Sequence, residues 1–259
     1  MVNATFSLVT FEYFLLVLVR ISSFMFVAPF FSMQGVPSIT KIGFSGLISI
    51  MVVTVLAPEE VVYISAIGYA LLVLKEGITG LLIGYAASIC NSIVLFAGNV
   101  MDMDIGLSMA SEFDPTTNTT TTVTGQMYYY FMLLLLLISN MHQYILKAVI
   151  DSFTLIPLGG ATFDISVLLQ TFVTYFTDMF VIAFRIMLPV FACMLIMNCV
   201  LGVMAKVAPQ MNMFSVGVQI KILVGLVVLF LMVFLFPEVV NYIADEIKKM
   251  MIDVVKGLY

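Results

Sequence analysis

Apolar residues along the chain form long runs, and the polar breaks between them set the expected elements. Residues 14–31 are the first run, with Arg20 inside it and Pro29 near its end. Residues 42–57 follow a link that carries Gly35, Pro37 and Lys41, and Pro58, Glu59 and Glu60 make an acidic turn. Residues 61–74 lead into Lys75–Glu76, and the apolar pattern resumes over 77–97. The longest polar interruption comes next, at 98–126, with Asp102, Asp104, Glu112 and Asp114 and a threonine-rich tract before Gln126. Residues 127–141 and 143–156 are apolar again, until Pro157, Gly159 and Gly160 break the pattern. Residues 167–201 are a long run holding Asp178, Arg185 and Pro189, and the proline is expected to kink or end a helix. A second polar link at 202–212 precedes the last long run, 214–236, with Lys221 near its start.

Residues 241–259 read differently. Ile243, Ile247, Met250, Met251, Val254 and Val255 recur at three- and four-residue spacing, with Glu246, Lys248, Lys249, Asp253 and Lys256 largely between them. That is an amphipathic helix, expected to lie on a membrane or on a partner.

Composition turns these runs into membrane segments. Hydrophobic residues make up 63% and charged residues 10%, against about 45–50% and about 25% in soluble domains. The net charge of -5 argues against a nucleic-acid partner. Residues 1–10 lack the basic segment of a cleavable signal, so the first apolar run is expected to be retained. Cys90, Cys193 and Cys199 lie in apolar runs and read as buried free thiols. Trp is absent, which leaves Tyr128, Tyr129 and Tyr130 as candidates for one interfacial belt.

The simple spanning pattern fails in three places. Runs 42–57 and 61–74 are short for a span, which needs about 20 apolar residues. Arg20, Lys75, Glu76, Asp151, Asp178, Arg185 and Lys221 sit in or beside apolar runs, where a charge at a helix centre costs roughly 2.5–3.5 kcal/mol. Lys206 and Lys221 mark one region as cytoplasmic and Lys248, Lys249 and Lys256 mark another, with one apolar segment between them. Helical hairpins whose charges face other subunits or a water-filled lumen resolve all three. Gly80 and Gly84 form a G-x-x-x-G pair that lets two helices approach closely.

No catalytic constellation emerges. The chain has neither the phosphate-binding loop G-x-x-x-x-G-K-[ST] nor a G-x-S-x-G elbow. His142 is the one histidine and reads as an interfacial or hydrogen-bonded residue. Asp102 and Asp104, two apart, point to different faces of a helix, so these acids are expected to cap, pair or line a polar path. The methionine count of 20 fits soft, adaptable packing better than copper binding, since neither Met101-Asp102-Met103 nor Met211-Asn212-Met213 has His or Cys nearby. No enzyme activity, cofactor or metal is expected. A secondary transporter is the competing class, but the halves show no convincing internal repeat.

Two stretches carry a family pattern. The first holds Arg20, Pro29, Pro37 and Lys41, then Lys75-Glu76-Gly77, Ala97-Gly98, Asp102, Gly106, Met109 and Phe113-Asp114-Pro115. The second is Asn198 and Gly202, then Pro209-Gln210-Met211-Asn212-x-Phe214-x-x-Gly217-x-x-x-Lys221. Together they resemble the FliR family of flagellar export-gate proteins and its counterpart in virulence type III secretion systems. Gln219 stands where that family usually has Pro, and Lys41 where Arg is common.

The resemblance implies an all-α integral membrane protein of helical hairpins within a hetero-oligomeric helical assembly. It implies FliP, FliQ, FlhB and FlhA as partners in the bacterial inner membrane of the flagellar basal body, with unfolded flagellar substrates in transit. Residues 1–165 would be FliP-like, and 166–259 a FliQ-like hairpin with the amphipathic tail. Residues 106–122 would plug the closed pore, with Gly106, Met109, Phe113, Asp114 and Pro115 as its candidate residues. Arg20, Glu76, Gly77, Gly80, Gly84, Asp178, Arg185, Pro209, Gln210, Met211, Asn212, Phe214 and Lys221 would serve subunit packing or polar pairing.

Overall fold

The computed structural model describes residues 8–33, 35–56, 61, 63, 65–110, 112–114, 119–210 and 213–259. At 90, 91, 109, 110, 112–114, 119–121, 213 and 214 the description is of the backbone alone. The helices are α1 (Leu8–Val27), α2 (Ser38–Leu56), α3 (Ala66–Ile105), α4 (Val123–Ile138), α5 (Met141–Leu155), α6 (Ile165–Val207), α7 (Met213–Met232) and α8 (Phe236–Gly257). Between α3 and α4 lie a 3-10 turn, Leu107–Ala110, and two three-residue strands, β1 (Glu112–Asp114) and β2 (Thr119–Thr121). The strands pair antiparallel, with Phe113 opposite Thr120. Among the described residues, five helices are long and apolar enough to cross a bilayer, and α4 with α5 makes a sixth candidate. The chain is an all-α integral membrane protein, and this small hairpin is the one sheet among the described residues.

Helix boundaries follow backbone chemistry more closely than they follow polarity. The runs 61–74 and 77–97 are one helix, α3, which passes through Lys75–Glu76 without a break. Lys and Glu are good helix formers, so charge alone ends nothing there. α3 also continues through eight residues of the expected loop, and stops where Gly106 takes φ +94° and donates its N–H to the Asp102 carbonyl at 3.0 Å. That is a left-handed C-terminal cap, which a residue without Cβ adopts readily. The polar interruption therefore shrinks from 98–126 to 106–122. α6 is likewise continuous through Pro189, which neither ends nor divides it. In apolar surroundings, neighbouring groups can re-satisfy the backbone that a proline frees.

The chain forms two compact units. One comprises residues 1–89, 140–174 and 246–259, the other 90–139 and 175–245. Each draws on both sides of residue 165. The first unit has a core of Leu16, Val17, Ile21, Phe24, Ile83, Ile145 and Val149. The second is built on Ile93, Ala97, Met101, Ile105, Met132 and Leu136. Large apolar side chains also point outward, such as Ile39 and Val55 on α2 and Leu223 and Phe230 on α7. Such faces suit lipid or other helices rather than water.

The six apolar positions read as the stripe of the C-terminal helix are all buried. They are buried within the chain, not on a membrane or on a partner. In the first unit Thr162 donates its N–H to the Leu258 carbonyl, and Gly257 packs on Leu168. The helix also starts earlier than expected, at Phe236. Three smaller expectations change. Tyr128 is 2% exposed and belongs to the core, not to an interfacial belt. Cys199 is exposed and Cys193 half-buried. His142 Nδ1 is buried with no hydrogen-bond partner among the described residues, and its ring meets Phe30 edge-on.

Candidate functional sites at two close helix contacts

The first site follows from the G-x-x-x-G pair. A Cβ on Gly80 would lie 2.2 Å from the Arg20 carbonyl oxygen, and one on Gly84 would lie 2.9 Å from that of Phe24. Only residues without side chains let α3 come so near to α1. Gly77 is different, since a Cβ there would make an ordinary 3.6 Å contact with Val19. The approach sets Glu76, one turn before Gly80, against Arg20. The Arg20 Nε–H donates to Glu76 Oε2, and both side chains are fully buried. Glu76 Oε1 accepts the Gly159 N–H at 2.8 Å. Gly159 has φ +74° in the tight turn after α5, closed by the Gly160 N–H donating to the Pro157 carbonyl. Arg20 Nη1 donates to the Ile156 carbonyl at 3.1 Å and, at 3.4 Å, to that of Ser152, so it satisfies the C-terminal end of α5. Its guanidinium lies 4.3 Å from the centre of the Phe153 ring. Nη2 has no hydrogen-bond partner among the described residues. The arrangement ties α1, α3 and the exit of α5 together around one ion pair.

This changes the expected role of two residues. Arg20 and Glu76 were expected to serve pairing between subunits, but they pair with each other inside the chain. Desolvation explains why both must be present together: a buried charge without its partner is costly, and a well hydrogen-bonded pair is tolerable. Gly80 and Gly84 likewise pack one helix of this chain on another.

The second site lies at the base of residues 106–122. A Cβ on Gly98 would lie 2.2 Å from the Gly125 Cα, so α3 and α4 touch backbone to backbone. One turn along α3, Asp102 is fully buried and its Oδ2 accepts the Thr124 N–H at 2.9 Å. Thr124 is in the first turn of α4, whose own N-cap residue, Thr122, makes no side-chain cap bond. A carboxylate from α3 therefore caps α4, where the helix dipole favours negative charge. The Thr122 hydroxyl is used elsewhere and donates to Asn99 Oδ1 at 2.7 Å. Below this, the Tyr128 hydroxyl donates to the Leu229 carbonyl at 2.8 Å, and its ring stacks on Phe236. The expectation that an acid of this stretch caps is met by Asp102. Its Oδ1 has no hydrogen-bond partner among the described residues.

The remaining expected residues scatter. Asp178 and Arg185 are exposed on α6 and Lys221 is half-buried on α7, close enough to Asp104 to act on it electrostatically. Asp151 is exposed and Lys75 half-buried, so of the seven charges expected to be buried only Arg20 and Glu76 are. Pro209 and Gln210 are exposed in the turn between α6 and α7, which fold back on each other where Gly217 meets Leu201. Pro115, Met211 and Asn212 lie outside the described residues, as do the side chains of Met109, Phe113, Asp114 and Phe214. Gly98, Asn99, Thr122, Thr124 and Gly125 were not anticipated as a site. Their small size and polarity had made them look like the ends of a loop.

Comparison with known proteins places the chain in a family. Residues 11–247 match the family model described as bacterial export proteins, family 1. The chain is 32% identical over 250 residues to the flagellar biosynthetic protein FliR of Bacillus subtilis, covering 96% of this chain and 95% of that protein. It is 24% identical to the flagellar biosynthetic protein FliR of Escherichia coli over 93% of this chain and 92% of that one. The surface presentation of antigens protein SpaR of Shigella flexneri is 32% identical over 62% of this chain and 61% of its own length.

Proposed function

The chain belongs to bacterial export protein family 1, the family of the FliR proteins, and we propose that it is a structural subunit of the flagellar export gate. In this reading it joins FliP and FliQ in the cytoplasmic membrane of the basal body, with FlhB and FlhA beside them, and the assembly forms the pore for unfolded substrates. The flagellar system is favoured over the virulence one because matching FliR proteins cover 85–96% of this chain and SpaR covers 62%. Residues 1–165 are FliP-like and 166–259 FliQ-like, and residues 106–122 act as the plug.

The observation that carries the assembly is on α6. This helix has 43 residues, more than twice the roughly 20 that a span needs. It exposes Asp178 and Arg185 among apolar neighbours. Seven residues apart, the two fall on one face. Facing lipid, each would cost about 2.5–3.5 kcal/mol. Another subunit or a water-filled path removes that cost, and a hetero-oligomeric gate supplies both. The experiment is purification of a tagged chain co-expressed with FliP and FliQ, as the native protein and as Asp178→Ala/Arg185→Ala. The native protein is expected to bring both partners through detergent, and the variant to lose most of them. Full recovery of the complex with the variant removes the support that α6 gives.

A further inference from the structure

We propose that the groove between α5 and α8 holds one phospholipid with an amine-bearing, zwitterionic headgroup, its acyl chain along the groove floor, its ammonium group on Asp151 and its phosphate on Lys256. The inference goes beyond the gate reading and does not depend on it. Both walls of the groove belong to one compact unit. α5 supplies one through Ala148, Asp151 and Leu155, and α8 the other through Met251, Val255 and Lys256. The groove holds about 420 Å³, within the roughly 300–1,000 Å³ of small-molecule sites. Three features select a lipid as its occupant. The rim is apolar and uncovered, with Leu155 54% and Ile252 48% exposed, which suits hydrocarbon better than water. The wall from Tyr144 to Leu155 runs about 16 Å along α5, close to half of the roughly 30 Å hydrocarbon core and so to the depth of one leaflet. Tyr144 and Tyr259 line it together with a lysine, and tyrosines and snorkelling lysines are the residues of a membrane–water boundary.

Charge selects the headgroup. Asp151 and Lys256 are both exposed, and each puts one charge on its wall of the groove. An anionic headgroup would meet Lys256 but be repelled by Asp151, whereas a zwitterionic one satisfies both. Lys256 Nζ donates to Asp253 Oδ1 at 3.3 Å, an exposed pair three residues apart that contributes little. An ammonium has three N–H donors, so Lys256 keeps two for a phosphate. Of the lysines nearby on α8, Lys248 lies over the Tyr144 ring at 5.8 Å and Lys249 donates to Glu246, which leaves Lys256 as the cation of the groove. An amine that carries N–H groups donates to the Asp151 carboxylate, and a trimethylated one does not, so ethanolamine lipids rank above choline lipids.

The test purifies the full chain in detergent and counts bound lipid by native mass spectrometry after exposure to phosphatidylethanolamine, phosphatidylglycerol or phosphatidylcholine. The native chain is expected to retain one phosphatidylethanolamine about fivefold more tightly than phosphatidylglycerol, the factor that follows from one exposed ion pair. Asp151→Asn is expected to remove that preference, and Lys256→Gln to weaken the retention of both lipids. Ala148→Phe fills the groove and is expected to release the lipid whatever its headgroup. Denaturant midpoints check that the variants fold. Asp151 is exposed, so the headgroup comparison still decides if Ala148→Phe does not fold. Equal retention of the three lipids by the native chain overturns the site, as ordinary surrounding lipid would give that result. So does a preference for phosphatidylglycerol, or a preference for phosphatidylethanolamine that survives Asp151→Asn. A photo-crosslinker at Ile252 that joins the chain in cells to another polypeptide and not to lipid also overturns it, and gives the groove to a protein instead.

Discussion

Gly98 and Gly125 bring α3 and α4 so close that a methyl group on Gly98 would lie 2.2 Å from the Gly125 Cα and 2.7 Å from its nitrogen. Both obstructing atoms are backbone, so no rotamer change relieves the clash and the helices must separate. Gly98→Ala is expected to destabilise the chain by at least the roughly 1–3 kcal/mol of an overpacked contact. Gly46 supplies the control, because a Cβ there meets nothing within 4 Å. Gly46→Ala is expected to be neutral or stabilising by up to about 1 kcal/mol through helix propensity. Denaturant midpoints in detergent compare the two. Equal midpoints would contradict the close contact.

The Arg20–Glu76 pair predicts an asymmetry between single and double substitutions. Glu76→Ala strands the Arg20 guanidinium in the interior and removes the acceptor of the Gly159 N–H. A loss of about 3–5 kcal/mol is expected. Replacing both partners with apolar residues of similar volume, Arg20→Met with Glu76→Leu, removes the charges together and is expected to cost less than Glu76→Ala alone. The carbonyls of Ser152 and Ile156 lose a donor in the double variant, so it is not expected to exceed native stability. Additive losses in a double-mutant cycle would show that the two side chains do not act as a pair.

Those two contacts show where sequence reading reached and where it stopped. The apolar runs located the membrane helices, and the stripe of the C-terminal helix was right at every one of its six positions. The G-x-x-x-G spacing also told a true story of close approach, because its physical cause is local: two glycines on one face. What spacing could not supply was the identity of the facing helix. Arg20 and Glu76 are 56 residues apart, and nothing in either run says that they meet. The polar stretch misled for a related reason. Asn99 and Asp102 look like loop residues until a partner helix is present to use them. Helix ends here depend on Gly106 adopting a positive φ, not on polarity.

Asp164 makes a pH-dependent contribution to the start of α6. Its Oδ1 accepts the Ser166 hydroxyl and the N–H groups of Ser166 and Val167, at 3.0 and 3.2 Å for the two nitrogens. The Ser166 side chain first, then the backbone N–H groups, holds this carboxyl below its usual range. A carboxyl with a lowered folded value adds stability that is present above the ordinary carboxylate range and lost as pH falls through the folded value. Asp164→Ala is therefore expected to lower stability at neutral pH and to flatten part of its decline in acid. Unfolding at neutral and acidic pH, native against variant, checks the sign. A variant whose stability falls as steeply in acid as the native protein's would sink the assignment.

Charges inside this chain and charges on its outside are expected to fail differently when removed. Glu76 and Arg20 satisfy each other internally, so Glu76→Ala acts on folding: the chain should become less stable even when expressed without partners. Asp178 and Arg185 are exposed on α6, and their removal takes no bond from the described core. Arg185→Ala is expected to leave the denaturant midpoint of the isolated chain within about 0.5 kcal/mol of native, as for a surface change. The same variant is expected to reduce recovery of FliP and FliQ with a tagged chain. Two measurements on each variant separate the cases, one on the chain alone and one on the complex. A loss of partners by Glu76→Ala with no loss of intrinsic stability would reassign the buried pair to assembly. A loss of intrinsic stability by Arg185→Ala would show that α6 needs that charge for its own packing. The expected pattern, folding for one and association for the other, follows from burial: the Arg20–Glu76 pair is fully buried within the chain, whereas Asp178 and Arg185 are exposed.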